Sequence, residues 1–179
     1  MVSPPTTQEA HVGMDLNQGD QLRTGSRSRA QIQQADGVFV RISSNSVLAI
    51  EPNLKLVFNQ GQMITWVERP TPSQVEIVTP FAVAAIQGTT VFVEVPDHGR
   101  WARFFSWEGT VRVALPDQSD SITLTSGESV LIPAGSRHLP PPYRPDSEML
   151  RQRFANSTLI HDFRSPMGTL AKIEAVVTP

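Results

Sequence analysis

Short runs in which apolar and polar residues alternate, separated by turn residues, fill the chain between Gly19 and Gly135. The segments TVFVEV and TVRVAL are clear examples, with valine at every second position. Successive side chains of a strand point to opposite faces, so this alternation is typical of strands with one buried face. Turn signals recur about every eight to twelve residues. The pattern predicts an all-β domain of two packed antiparallel sheets, a solenoid-like or roll-like β-sandwich.

Turn residues predict where these strands reverse. Asp36-Gly37 suits a tight hairpin because glycine accepts a positive φ at little cost. Turns at Pro52-Asn53 and Gln60-Gly61 divide residues 46–67 into three predicted strands.

The two ends of the chain lack the alternating pattern of the central region. The N-terminus is polar with a Pro-Pro pair, and HLPPPYRP forms a stiff proline-rich stretch. After it, Asp146 or Ser147 could cap a helix, while TLAKIEAVV fits either a final strand or a second helix. The predicted division is a flexible arm at 1–18, a β domain at 19–137, a linker at 138–145 and a partly helical extension at 146–179.

Charge and composition narrow the class of partner. The net charge is −2 and the chain has only two lysines, so a general surface for nucleic acid or anionic lipid is not expected. The absence of cysteine excludes disulfides and zinc–thiolate sites. No apolar run reaches the roughly 18 residues of a membrane span, and the N-terminus lacks the features of a signal peptide.

Motifs for catalysis are also missing. The sequence contains no GxSxG, P-loop, GxGxxG or HExxH pattern, and its four histidines are scattered at 11, 98, 138 and 161. We therefore predict no catalytic residues, no bound metal, no cofactor and no enzyme activity. A pair of carboxylates brought together by the fold stays open as an alternative.

The stretch GESVLIPAGSRH at 127–138 resembles half of the metal-binding motif of cupins. A metal site needs several converging ligands, and His138 supplies one, with no HxH motif upstream. The favoured interpretation is structural: Pro133 ends a strand and Gly135 turns the chain. A degenerate cupin-like enzyme over residues 108–138 is the weaker alternative.

An ordered set of six short motifs covers far more of the chain. It runs from GDQLRTG through the A…DG hairpin, LKLVFNQG, the TP…GT segment and the EG turn to LTSGE. Order and spacing resemble the FecR domain family, the extracytoplasmic sensor domain of bacterial iron-uptake signalling. The matching glycines and threonines suit turns, so they indicate the fold and form no active site.

The resemblance implies a non-catalytic sensor or protein-interaction domain in the periplasm or another extracytoplasmic place. Its implied partner is an envelope protein, either a receptor or a sigma-regulatory protein. The typical member carries a cytoplasmic anti-sigma segment and a membrane helix before the sensor domain. The arm of this chain is too short for both, which fits either part of a longer protein or a stand-alone FecR-like domain.

The segment RWARFFSW offers a candidate partner-binding face. In a strand, Trp101, Arg103, Phe105 and Trp107 share one side, and large aromatics around an arginine suit a protein or sugar contact. The alternative is that they pack under the C-terminal segment.

Two further hypotheses remain beside protein binding in signalling. One is an envelope carbohydrate-binding or scaffold module, with a polysaccharide as partner. The other is the degenerate cupin-like enzyme. A cluster of Arg23, Arg27 and Arg29 could meet an acidic partner or a phosphate, but the favoured interpretation is a solvated sheet edge that discourages strand pairing between molecules.

Overall fold

The computed structural model describes residues 7–34, 37–68 and 74–178, which form twelve strands and three helices. The strands are β1 (Gln21–Arg23), β2 (Ala30–Gln33), β3 (Val38–Ile42), β4 (Val47–Glu51), β5 (Lys55–Val67), β6 (Val75–Val78), β7 (Val83–Ile86), β8 (Thr90–Val95), β9 (Trp101–Glu108), β10 (Val111–Ala114), β11 (Ser121–Leu124) and β12 (Ser129–Pro133). The helices are α1 (Ser147–Ala155), α2 (Thr158–His161) and α3 (Leu170–Val177).

The strands make two sheets that share β5. The first sheet has the order β1-β4-β5-β6-β7-β10-β11, and the second has the order β2-β3-β5-β8-β9-β12. This arrangement confirms the all-β class with a partly helical C-terminal extension. All neighbouring strands are antiparallel except β5 and β6, which run parallel. The alternating pattern could not show this, because it is the same in both directions.

One hydrophobic core fills the space between the sheets. The first sheet contributes residues such as Phe58 and Ile77, and the second contributes Val93 and Phe104, all fully buried. They occupy alternate positions of their strands, so the period of two that predicted the strands also selects the core.

The predicted turn at Gln60-Gly61 is wrong, because β5 continues through both residues and passes from one sheet to the other. Residues 47–67 therefore form two strands and not three. Gly61 is needed for a different reason: its φ is +105°, and an added Cβ would lie 2.7 Å from the Cα of Ser46. The glycine allows the two backbones to approach at a bulge between β4 and β5.

The predicted turn at Pro52-Asn53 lies where β4 and β5 reverse direction. Asn53 has a φ of +61° in the connection between β4 and β5. Asp36 lies outside the described residues, but β2 and β3 pair antiparallel on either side of it, as a hairpin requires.

A second hydrophobic cluster covers the outer face of the second sheet. Trp66 and Phe105 from the strands pack there against Leu159 and Ile173 from the helices. α1 begins after Asp146, whose carboxylate accepts a hydrogen bond of 2.7 Å from the Met149 N–H, which confirms the predicted cap. TLAKIEAVV proves to be helical, as α3.

Arg41 on β3 joins this helical layer to the sheet. Its side chain is fully buried and lies between the rings of Trp66 and Phe163, 4.9 and 4.5 Å from their centroids. The guanidinium donates to the backbone carbonyls of Leu159, Ile160 and Ser165. Burial lowers the pKa of Arg41 to about 10, which leaves it charged at neutral pH.

The segments at the edges of the β domain also contact it. Leu16, in the predicted arm, packs against the main core, and residues 1–6 lie outside the described residues. In the predicted linker, Leu139 is buried, and Tyr143 exchanges two backbone hydrogen bonds with Ser129 at the free edge of β12. The division into domains stays a prediction.

Replacing Gly61 by alanine should lower the free energy of unfolding by about 2–4 kcal/mol, since both its positive φ and the contact with Ser46 oppose a side chain. Gly88→Ala is the matched control, because Gly88 also has a positive φ but has open space around it. We expect it to cost about 1 kcal/mol. Urea unfolding measures both variants, and equal losses would contradict the close approach of β4 and β5.

Arg41→Met should destabilise the chain by about 2–4 kcal/mol, because three carbonyls of the C-terminal segment lose their buried donor. Limited proteolysis should then cut that segment sooner. Arg112→Met on β10 removes an exposed arginine and serves as the control, with a change within about 0.5 kcal/mol. Similar losses in the two variants would disprove the role of Arg41.

Candidate functional site

β9 presents the four predicted binding residues on one side. Ala102 and Phe104 enter the core between the sheets, so Trp101, Arg103, Phe105 and Trp107 lie on the outer face of the second sheet. The alternation along the strand therefore places the side chains as expected.

The C-terminal helices divide this face into a covered half and an open half. Phe105 and Trp107 are 1% and 3% exposed and meet edge to face, with ring centroids 4.7 Å apart. Trp107 also contacts Phe154 of α1, at 6.2 Å between centroids. These two rings pack under the C-terminal segment, which was the alternative interpretation of the motif.

Trp101 and Arg103 form the open half and are each half-buried. The guanidinium carbon of Arg103 lies 5.2 Å from the centroid of the Trp101 ring, a cation–π distance. Arg103 also forms an ion pair with Glu94 of β8, at 3.2 Å between nitrogen and oxygen. The arginine is thereby held in place on the surface of the sheet.

A groove of about 340 Å³, which we call the β9–α1 groove, runs between this face and the helices. Its floor is aromatic, and the junction of α1 and α2 forms one wall. The residues that line it and enter the argument are Phe92, Glu94, Arg103, Phe105, Trp107 and Arg153.

Sequence reasoning missed Arg153 and Tyr143, which complete the open half. Arg153 of α1 lies over the Phe105 ring, with its guanidinium carbon 5.7 Å from the centroid. The Tyr143 side chain is 42% exposed, an unusual value for the large apolar residues described. We call Trp101, Arg103, Tyr143 and Arg153 the β9 corner. Only the fold brings these residues together, so no local pattern could have shown the group.

Positive charge dominates the β9 corner. Burial alone would raise the pKa of Tyr143, but a hydrogen bond with Ser129 and the charges of Arg103 and Arg153 together lower it. In the described part of the chain, no carboxylate lies within ion-pair distance of Arg153. Among the residues that the structure describes, none accepts a hydrogen bond from two buried donors, the Arg103 Nε and the Trp107 Nε1.

The three arginines near the N-terminus do not share one site. Arg23 lies on β1, an edge strand, and Arg29 pairs with Asp162 of the C-terminal extension. Arg27 and Arg29 line an open groove of about 600 Å³, which Glu94 and Asp97 also line. Charges of both signs meet in this groove, so it does not have the uniform potential of a phosphate site.

His138 lies in a turn after β12 with its side chain 91% exposed. Its Nδ1 is 3.8 Å from the Asp120 carboxylate. Across residues 7–34, 37–68 and 74–178, no three histidine, aspartate or glutamate side chains converge on a point that could hold a metal. The region that resembles a cupin motif is a strand end and a turn in this fold.

Comparison with known proteins places the chain among regulatory proteins. The profile of the family described as FecR protein matches residues 20–112, more than half of the 179 residues. Among curated proteins, no sequence matches the chain. No helix in the described residues is long and apolar enough to cross a membrane.

Two crystal structures, each described as a candidate anti-sigma factor from Parabacteroides distasonis ATCC 8503, have a similar fold. One has a TM-score of 0.60 at 14% identity, covering 75% of this chain and 65% of that one. The other has a TM-score of 0.62 at 15% identity, covering 80% and 72%. This chain therefore spans slightly less than two thirds of the first of these proteins.

The matched segment and the fold together define a β domain of the FecR type. The chain belongs to the FecR family.

Tyr143 is the only tyrosine, so its ionisation can be followed alone by the ultraviolet absorbance of tyrosinate. We expect a midpoint below the ordinary 10.0 in the folded chain and a return to the ordinary value in urea. Arg153→Gln should raise the folded midpoint because it removes a positive charge. Arg151→Gln, an exposed change on the same helix, is the control. A midpoint that does not respond to Arg153 would contradict the charge assigned to the β9 corner.

Proposed function

We propose that this chain is a non-catalytic sensor or regulatory domain of the bacterial envelope, which works in signal transduction by binding another protein. The partner is a receptor or a sigma-regulatory protein. The observation that carries the proposal is the FecR match over residues 20–112, which covers strands β1 to β9 in full.

The features of the site support binding more than chemistry. The β9–α1 groove contains cations and aromatic rings but only one carboxylate, Glu94, which is already paired. General acid–base catalysis needs a side chain that can give or take a proton beside the substrate. The one carboxylate of the groove is held in an ion pair, and the arginines stay charged, so the groove residues do not offer such a group. Tryptophan, tyrosine and arginine are instead the residues that contribute most to protein interfaces.

The four residues on β9 take two roles in this proposal. Trp101 and Arg103 contact the partner directly because they are partly exposed. Phe105 and Trp107 form the floor beneath the contact and keep it rigid, since the helices fix their rings. A pre-organised surface loses less side-chain entropy on binding.

A periplasmic or other extracytoplasmic place is part of the proposal and rests on the family. A polysaccharide partner draws no support from the comparisons. A degenerate cupin-like enzyme draws none either, because in the described chain His138 has a single carboxylate, Asp120, near it and belongs to no group of three side chains that could hold a metal.

Crosslinking capture from the envelope fraction of the source cell tests the function. The folded chain is the bait, and an unrelated β protein of similar net charge is the matched control. We expect mass spectrometry to identify an outer-membrane receptor or a membrane-bound sigma regulator that the control bait does not retain. Recovery of cell-wall polysaccharide alone, or of nothing beyond the control, would contradict the proposal.

A further inference from the structure

We propose that the β9 corner and the adjoining β9–α1 groove form a docking site for an acidic peptide segment of the partner, with a carboxylate held by Arg103 and Arg153 and an apolar side chain on the aromatic floor. This inference rests on the proposed function, because it assigns the surface through which a protein partner is bound.

The charges of the site select a carboxylate. Arg103 and Arg153 both line the groove, opposed by the single charge of Glu94. Glu94 accepts from Arg103 and from the Gln62 amide, at 3.2 and 3.0 Å, so its oxygens are occupied. Arg153 has no acidic partner in the described chain, and one positive charge is left over. A guanidinium on a partly dry surface binds carboxylates strongly, often through two parallel hydrogen bonds.

Hydrogen-bond donors without an acceptor also favour a ligand with oxygen atoms at this site. The Arg103 Nε and the Trp107 Nε1 are buried with no acceptor in the described chain, and both belong to residues that line the groove. A buried donor without an acceptor costs free energy in the free protein. A small local rearrangement on binding could give these donors an oxygen atom of the ligand.

The floor of the groove selects an apolar neighbour of that carboxylate. Phe92 is partly exposed and provides a ring in the groove beside the arginines, while the buried Phe105 ring lies beneath Arg153. The volume of about 340 Å³ is at the small end of the roughly 300–1,000 Å³ typical of ligand sites. Tyr143 lies beside the groove, and its exposed ring extends the apolar surface. A short segment that alternates acidic and aromatic residues fits both features.

The test titrates the chain with a capped pentapeptide, Gly-Asp-Phe-Asp-Gly, and with its uncharged counterpart, Gly-Asn-Phe-Asn-Gly. Nuclear magnetic resonance reports the indole N–H signals of the chain's three tryptophans. Trp101 and Trp107 lie at the site, while Trp66 is fully buried and donates to Glu68, so it is an internal reference. The acidic peptide should shift the first two signals, and the amide peptide should bind about tenfold more weakly.

Substitutions at the site give changes of opposite sign. Arg153→Gln should weaken acidic-peptide binding about tenfold, whereas Glu94→Gln should strengthen it because Arg103 loses its competing carboxylate. Arg151→Gln is the matched control, with the same charge change on the same helix at a residue paired with Glu148. It should leave the affinity unchanged. Equal binding of the two peptides, or equal effects of the two arginine variants, would overturn the proposal.

Repeating the envelope capture with the Arg153→Gln bait separates this inference from the function on which it rests. If the Arg153→Gln bait loses both the captured partner and the binding of the acidic peptide, the result supports the docking site. Capture that is undiminished would overturn the site and leave the proposed function standing. A wild-type bait that captures no protein but binds the acidic peptide selectively would keep the site and remove the signalling role.

Discussion

The hydrogen bonds of Arg41 hold the C-terminal helical layer against the second sheet. A guanidinium that is fully buried needs acceptors for its donors, and in this fold the acceptors are carbonyls of the C-terminal segment. The helices, for their part, need a donor for those carbonyls. Because the guanidinium donors and the carbonyl acceptors pair with each other, the C-terminal segment of the same chain covers the outer face of the second sheet.

That closure determines which surface is left for recognition. Without the helices, β9 would expose a broad aromatic face with Phe105 and Trp107 at its centre. With them, the rings become a fixed floor, and only the β9 corner and its groove remain open. The contact surface is therefore composite: a strand supplies Trp101 and Arg103, and α1 supplies Arg153.

The sequence was sufficient where the structure depends on local alternation and turns. It predicted the sheet faces, the side of β9 that carries Trp101, and the cap at Asp146. It failed at Gly61, because a glycine at a turn and a glycine at a close approach of two strands have the same local pattern. It missed Arg153 and Tyr143 because their place beside Arg103 depends on contacts between distant segments. The period of two also left open whether the aromatic face of β9 meets a partner or packs under the C-terminal segment, because both arrangements give the same pattern.

Hydrogen–deuterium exchange of the chain with and without its captured envelope partner tests the central claim most directly. If the helices close the sheet and leave the β9 corner as the recognition surface, the partner should slow exchange in residues 100–104 and in 141–154. Exchange in α3 should stay the same, since Ile173 is already buried in the free protein. Slowed exchange confined to the edge strands β1 or β11, with the β9 corner unchanged, would contradict the account.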